Sequence, residues 1–348
     1  MEQAVAHSVA ALGAVTDRDW TAVRAGRLEW SCRETATHVA SDLVAYAGQL
    51  AGRAQDAYVP FDIALDEDAG NAGILHVITT TGALLAAAVR TTPRSVRAFH
   101  PYPFRHANRE GFAAMGVAEV LLHTHDMAEG LGVAYEPPAE LCEFVLTRIF
   151  PRVRPGPAPW PTLLWATGRG KLPGREPVTA WRWCNNPVLR SERLDLEGVT
   201  PAAGASLSVA GDGGFSWVGG VPAEGTRVGA GIGVAQYEEG TFVPEWGMYV
   251  LVRREDDRAV GAMGFHGPPG AEGRVEIGYD LVVEARGNGY ATEALRTLSA
   301  WALGQDAVHT VVAVVEETNV PSQKVVTRAG FTEVSRQEGH ITYELRAA

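Results

Sequence analysis

The stretch RVEIGYDLVVEARGNGYAT, Arg274 to Thr292, constrains the chain most. Val275, Ile277 and Tyr279 alternate with Glu276, Gly278 and Asp280, and the apolar run Leu281, Val282, Val283 follows. That period of two predicts a strand. It stops at Arg286-Gly287-Asn288-Gly289-Tyr290-Ala291, and ATEALRTLSAWALG resumes with helical spacing. Small residues at 287, 289 and 291 let backbone N–H groups approach an anion closely. The helix that opens there adds unpaired N–H groups and the positive end of its dipole. The expectation is a strand, a phosphate cradle and a helix in sequence. A second strand, His309 to Glu316, leads to Glu317-Thr-Asn319-Val-Pro-Ser322. A short helix, Pro321 to Arg328, then ends at Ala329-Gly330 before a strand beginning at Phe331.

A chain of 348 residues can bury two separate cores. With 30 basic against 41 acidic residues the net charge is −11, which argues against a nucleic-acid partner. The opening MEQAVAHSVAALGAV has neither a basic n-region nor a cleavage signal. The most apolar stretch, Ala72 to Val89, contains His76 and three successive threonines, so a core helix is expected and no membrane span. Cys32, Cys142 and Cys184 are odd in number and widely spaced, which suits a reduced, cytoplasmic protein. Arginine is abundant while Lys171 and Lys324 are the only lysines, a bias that points to a high-GC coding sequence.

Residues 1 to about 150 read as helices: Glu2–Val15, one opened by the capping-box pattern Ser31-Cys-Arg-Glu34, about Asn71–Arg90, Arg109–Glu129 after Asn108, and Ala139–Phe150. The second carries Val39, Leu43, Ala47 and Leu50 on one stripe. Long helices with short connections predict an antiparallel bundle. A segment rich in Pro, Gly and Trp, residues 151–187, closes the first domain. On the fourth helix Glu119, His123 and Asp126 fall on one face at about 100° per residue. A carboxylate and an imidazole one turn apart can ligate a divalent metal, and His38 can supply a third ligand from the second helix. A simple hydrogen bond between Glu119 and His123 would also satisfy that spacing. His125 points about 120° away and is not counted. His100 and His106, in RAFHPYPFRHAN, suit structural roles.

Arg286, Gly289 and Ala291 stand at the positions of the pyrophosphate signature Gln/Arg-x-x-Gly-x-Gly/Ala of the GNAT acetyltransferase superfamily. Asn319, Ser322, Gly330 and Phe331 match its second motif. From Leu189 to about residue 346 the chain resembles the RimJ/RimL-like branch. The first part resembles another family. Trp30-Ser-Cys-Arg-Glu-Thr-Ala-Thr-His38, GVAEVLLHTHDM around Glu119 and His123, and ATGRGKLPGR look like the mycothiol-dependent maleylpyruvate isomerase domain, a DinB-like metal-binding bundle. The implied fold is two domains: an all-α DinB-like four-helix bundle over residues 1–187, then an α/β GNAT fold with a mixed, mostly antiparallel sheet over 188–348.

The resemblances imply roles. Acetyl-CoA would lie against the splayed strand at Leu281, Val282 and Val283, with its pyrophosphate on Arg286, Gly287, Asn288, Gly289, Tyr290, Ala291 and Thr292. Asn319 would contact the pantetheine or the leaving thiol, and Ser322 would protonate that thiol. Many relatives carry a tyrosine where this chain has Val326, which leaves Tyr343 as the other proton donor. Glu276 is the expected base, unless it only pairs with Arg274. Acceptor contacts are expected from Arg227 to Tyr249, where Tyr237, Glu238, Glu239 and Trp246 cluster, suiting a small-molecule amine or a protein amine. His38, Glu119 and His123 would hold zinc, and mycothiol would be the thiol that it binds; the codon bias agrees with a mycothiol producer. The competing hypothesis makes the bundle a noncatalytic module for ligand recognition or for assembly of a homodimer.

Overall fold

The computed structural model describes residues 1–66, 68–101 and 105–346, and divides into two compact units, Met1–Asn185 and Asn186–Ala348. In the first unit the main helices are α1 (Glu2–Gly13), α2 (Cys32–Gly52), α3 (Asn71–Thr91) and α4 (Arg109–Leu131). They are joined by the two-residue strands β1 (Ala98–Phe99) and β2 (His106–Ala107) and followed by α5 (Ala139–Ile149) and α6 (Pro159–Ala166). Each boundary has a local cause. The Ser31 hydroxyl accepts from the Glu34 N–H while the Glu34 carboxylate accepts from the Ser31 N–H, a closed capping box. Asn108 caps α4 through the Gly111 N–H, and Gly132, at φ +64°, ends it in the left-handed conformation. α2 packs on α3 and α4, and α1 packs on α3 and α4. α4 is buried on nearly every face, so its polar residues at 119, 123 and 126 lie inside the core.

One helix in this unit was not anticipated, and one boundary differs from expectation. The Pro- and Trp-rich segment contains a helix, α6, with Pro159 at its first turn, where a missing N–H does no harm. α1 is also shorter than expected: Ala14 caps it, and Val15 lies beyond. α3 is long and apolar enough to cross a membrane; Ile74, Leu75, Ile78 and Leu85 along it are buried in the bundle core.

The second unit is a mixed, mostly antiparallel sheet. Its strands are β3 (Val188–Arg190), β4 (Leu194–Gly198), β5 (Ser216–Trp217), β6 (Met248–Arg253), β7 (Arg258–Phe265), β8 (Arg274–Leu281), β9 (Thr310–Glu316), β10 (Thr332–Gln337) and β11 (His340–Arg346). The order is β10-β11-β9-β8-β7-β6-β4-β3, with β5 beside β7. Helices α7 (Pro201–Ser208), α8 (Glu224–Glu239), α9 (Tyr290–Leu303) and α10 (Val320–Ala329) complete it. The β5–β7 and β8–β9 pairs are parallel. β8 pairs with β9 only from Arg274 to Glu276, whereas its pairing with β7 runs from Ile277 to Leu281. Beyond Glu276 the two parallel strands separate, and one edge of β8 loses its backbone partner.

Replacing Ser31 by Ala opens the capping box and is expected to remove about 1 kcal/mol from the bundle. Scanning calorimetry should show its transition falling by roughly 2–4 °C, with Ser31→Asp losing less. An unchanged transition in Ser31→Ala would show that the cap contributes nothing.

Candidate active site and metal centre

The separation of β8 from β9 opens a cavity of about 420 Å³. Tyr279, Asp280 and Leu281 of β8 form one wall, the loop from Ala285 and the first turn of α9 the second, and Asn319, Ser322 and Lys324 around α10 the third. Gly287 and Gly289 have φ of +81° and +80°, a conformation only glycine adopts without strain, and the space over Gly287 is open. Arg193 braces this loop: its guanidinium donates to Glu293 and to the Asn288 carbonyl (3.0 Å) and covers the Tyr290 ring at 4.8 Å. Burial would raise the Glu293 carboxyl, but hydrogen bonds from Ser191 and Arg193 outweigh it and hold it below the usual range. The cradle is therefore preorganised from outside by a residue that the sequence did not single out.

Residues 209–332 match the family model described as the acetyltransferase (GNAT) domain. The second unit carries a GNAT domain. The N-acetyltransferase YjdG of Bacillus subtilis (strain 168) is 35% identical over 83 residues, which are 24% of this chain and 49% of that protein. YoaA of the same organism is 29% identical over 97 residues, 28% of this chain and 52% of its own. Both bear the description uncharacterized N-acetyltransferase. The chain thus spans about half the length of the curated relatives it matches. Among solved structures, an acetyltransferase from Agrobacterium tumefaciens str. C58 is 26% identical, with a TM-score of 0.34, over 50% of this chain and all of that one.

Within the GNAT domain the expected residues fall unevenly. Leu281, Arg286, Gly287, Gly289, Tyr290, Ala291, Thr292, Asn319 and Ser322 line the cavity. Val282, Val283 and Asn288 do not. β8 ends at Leu281, Val282 donates its N–H to Val260, and Val283 starts an exposed 3₁₀ turn. The free edge is Ile277–Leu281, one half-strand earlier than the apolar run suggested. The Asn288 amide donates to the carbonyls of Ala285 and Arg286 and shapes the loop. The Asn319 Oδ1 caps α10 by accepting from the Ser322 N–H at 3.1 Å, so that oxygen is already engaged. Tyr279, which the sequence reading treated only as a strand residue, donates its phenol to the Ser322 carbonyl at 3.2 Å, and burial raises its pKa. It stands nearer the site than Tyr343, whose side chain lies on β11 outside this cavity.

A second cavity, of about 220 Å³, lies between α8 and the sheet and meets the first at Tyr279 and Asp280. Glu276 does not line either one. Its expected partner Arg274 pairs instead with Glu344 at 2.7 Å, and Glu276 faces the His266 Nδ1 at 3.3 Å. His266 lines the second cavity, and its Nε2 lies 3.2 Å from where a Cβ on Gly278 would sit. The acceptor-side residues also shift. Tyr249 is buried and bonded to the Glu245 carbonyl, Trp246 packs at a tilt against Trp301, and none of Tyr237, Glu238 and Glu239 lines the groove.

In the bundle, α2 and α4 bring His38, Glu119 and His123 together, with one ligand atom from each within 4.8 Å of the others. The Glu119 Oε2 lies 3.2 Å from the His123 Nε2 and 3.6 Å from the His38 Nε2. Asp126 holds the His123 Nδ1 at 3.1 Å and is itself clamped by the Arg169 guanidinium at 2.9–3.1 Å. That arrangement fixes His123 with Nε2 facing Glu119. Asp42, one turn beyond His38, comes within 3.5 Å of the same imidazole. The sequence signal for Asp42 was its i, i+4 spacing. Arg169 had no such signal, because its contact spans 43 residues. His125 packs against Trp160, and His100 sits edge-on to Phe112; positions 102–104 beside it lie outside the described residues.

Burial alone would lower the His123 pKa, yet the bonds to Asp126 and Glu119 raise it to about 9. Glu119 is buried, which opposes its charge, but the two imidazoles hold it down at about 2. Burial, then the Glu119 charge, pushes Asp42 up to about 7. The cluster therefore retains protons that a divalent cation would displace. Zinc affinity, measured by chelator competition, is expected to rise with pH by about tenfold per unit between about pH 6 and 8. A pH-independent affinity would show that the cation binds elsewhere.

Proposed function

We propose that the GNAT domain transfers an acetyl group from acetyl-CoA to a primary amine. The observation that carries this is the parting of β8 from β9 directly beside the Arg286–Thr292 cradle. The unpaired edge of Ile277–Leu281 offers backbone N–H groups to the pantetheine arm and the thioester carbonyl. The cradle and the first turn of α9 offer N–H groups and the helix dipole to the diphosphate. The amine nitrogen enters from the α8 side, where the two cavities meet at Tyr279 and Asp280. It attacks the acetyl carbonyl as the N–C bond forms and the C–S bond breaks. His266 takes the proton of the incoming ammonium, with Glu276 behind its Nδ1 as the positioning carboxylate. The Ser322 hydroxyl or the Tyr279 phenol returns a proton to the departing thiolate.

For the bundle we propose a divalent-metal site held by His38, Glu119 and His123, with zinc as its ion. Two imidazole nitrogens and one carboxylate oxygen that converge, backed by Asp126, suit a metal with open positions. When bound, such a metal supplies a Lewis acid that acidifies a thiol. Mycothiol is the thiol that the family resemblance suggests. Trp30, 4.8 Å from the His38 ring and partly exposed, would border the entering group. We place the protein in the cytoplasm, acting on a small-molecule amine and not on membranes or nucleic acid, as a monomer or homodimer. The competing reading leaves the bundle as a scaffold.

Calorimetry should show acetyl-CoA binding that weakens at least tenfold in Arg286→Glu, a charge reversal in the cradle, with the melting curve unchanged. An absence of binding by the natural protein would end the acetyltransferase reading. Plasma mass spectrometry should find about one zinc per chain, lost in His123→Ala; no metal in either protein would leave the scaffold reading standing.

A further inference from the structure

The cavity beside the cradle has two cations that the proposed diphosphate contacts leave unused. Lys324 and Arg328 line its third wall, one turn apart on α10 and about 6 Å along the helix axis. Both are exposed, and among the described residues neither the Lys324 ammonium nor the Arg328 guanidinium has a hydrogen bond or an ion pair. Other cations of the domain are engaged. Arg274, Arg336 and Arg346 each pair with a carboxylate, and Arg286, the third cation on the cavity wall, pairs with Asp280. Asp280 is the single carboxylate among the lining residues. In a chain of net charge −11, this cavity is positive.

The helix that carries the two cations is tied down elsewhere. Gln323 donates to the carbonyls of Glu316 and Glu317, and Val326 and Ala329 are buried. Arg296 of α9 donates to the Arg328 carbonyl, which joins the C-terminal end of α10 to α9. α10 begins soon after β9 ends, so Asn319 and Ser322 stand nearest the parted strands. Lys324 and Arg328 lie farther along the same wall, across from the first turn of α9. A cofactor with its pantetheine at the opening and its diphosphate on the cradle carries its nucleotide beyond both.

We propose that Lys324 and Arg328 bind the ribose 3′-phosphate of coenzyme A and so select the donor. A phosphomonoester carries about −1.5 to −2 charge at neutral pH, which two cations one helical turn apart can match. The ammonium serves as a point charge, and the guanidinium fork can meet two phosphate oxygens at once. The diphosphate, by contrast, is met on the cradle by backbone N–H groups. This rests on the acetyltransferase reading above and adds donor selectivity to it: a thioester on a phosphopantetheine arm without the nucleotide would be a weak donor.

The test is calorimetry on the full-length protein with acetyl-CoA and with 3′-dephospho-acetyl-CoA, which differs in that phosphate alone. Acetyl-CoA should bind at least about tenfold more tightly, the range of one charge-assisted hydrogen bond. The ratio should shrink as salt is raised. The double variant Lys324→Gln, Arg328→Gln should bring the ratio to about one, the loss falling on acetyl-CoA. Both side chains are exposed, so folding is expected to survive, and a melting curve verifies this. Equal affinities of the natural protein for the two ligands overturn the proposal, and so does a ratio that the double variant leaves unchanged. If the variant weakens both ligands alike, the two cations serve the diphosphate, and the proposal fails as well. Failure of the natural protein to bind either ligand counts against the acetyltransferase reading instead.

Discussion

The GNAT domain depends on a hydrogen-bond ladder that stops early. Three residue pairs join β8 to β9, from Arg274 with Thr310 to Glu276 with Val312, and then the strands part. Elsewhere in a sheet an interrupted ladder leaves polar groups wanting partners. Here the interruption is supported from both sides: β7 pairs with β8 through Leu281, and β11 pairs with β9 through Glu316. Each strand has one satisfied edge, so the opening between them can be held without collapse. The cradle, α9 and α10 gather around that opening, and the residues that line the cavity take their places from it.

The bundle poses the opposite problem, of polar groups closed in. Glu119, His123 and Asp126 lie within a helix that is buried almost throughout. Uncompensated carboxylates there would be strongly unfavourable. Each has a counter-group: Arg169 for Asp126, and the imidazoles for Glu119. The contrast between the two carboxylates is informative. Asp126 has a permanent cation, whereas Glu119 and Asp42 share imidazoles that can give up their protons. In the cation site proposed above, the exchangeable positive charge would stand where the ion binds and the fixed one behind it.

Much of this was legible in the sequence, and the unread part shares a cause. The strand–loop–helix pattern at 274–292, the capping box at Ser31 and the i, i+4 pair at Glu119 and His123 are local, and local spacing was enough to find them. Arg193 and Arg169 were invisible because each acts across a long sequence separation on a group whose need for it appears only after folding. Glu276 shows a subtler limit. Alternation placed it on one face of β8, but it could not show that Arg274 would turn to Glu344 or that a β7 neighbour would bring His266. The helix α6 was hidden by composition, since prolines that usually break helices sit at its start.

Glycine ties the two sides of the GNAT domain together. At 287 and 289 the absence of a side chain permits a positive φ and clears the space where an anion would rest. At 229 and 278 the φ values are ordinary, and what glycine provides is clearance beside Met248 and His266. Around the single strand β8, then, one set of glycines shapes the backbone toward a charged ligand and another removes bulk on the α8 side. The strand presents Tyr279 and Asp280 to both cavities. The proposed transfer uses that shared wall: a donor in one cavity and an acceptor in the other would both lie against the same two residues.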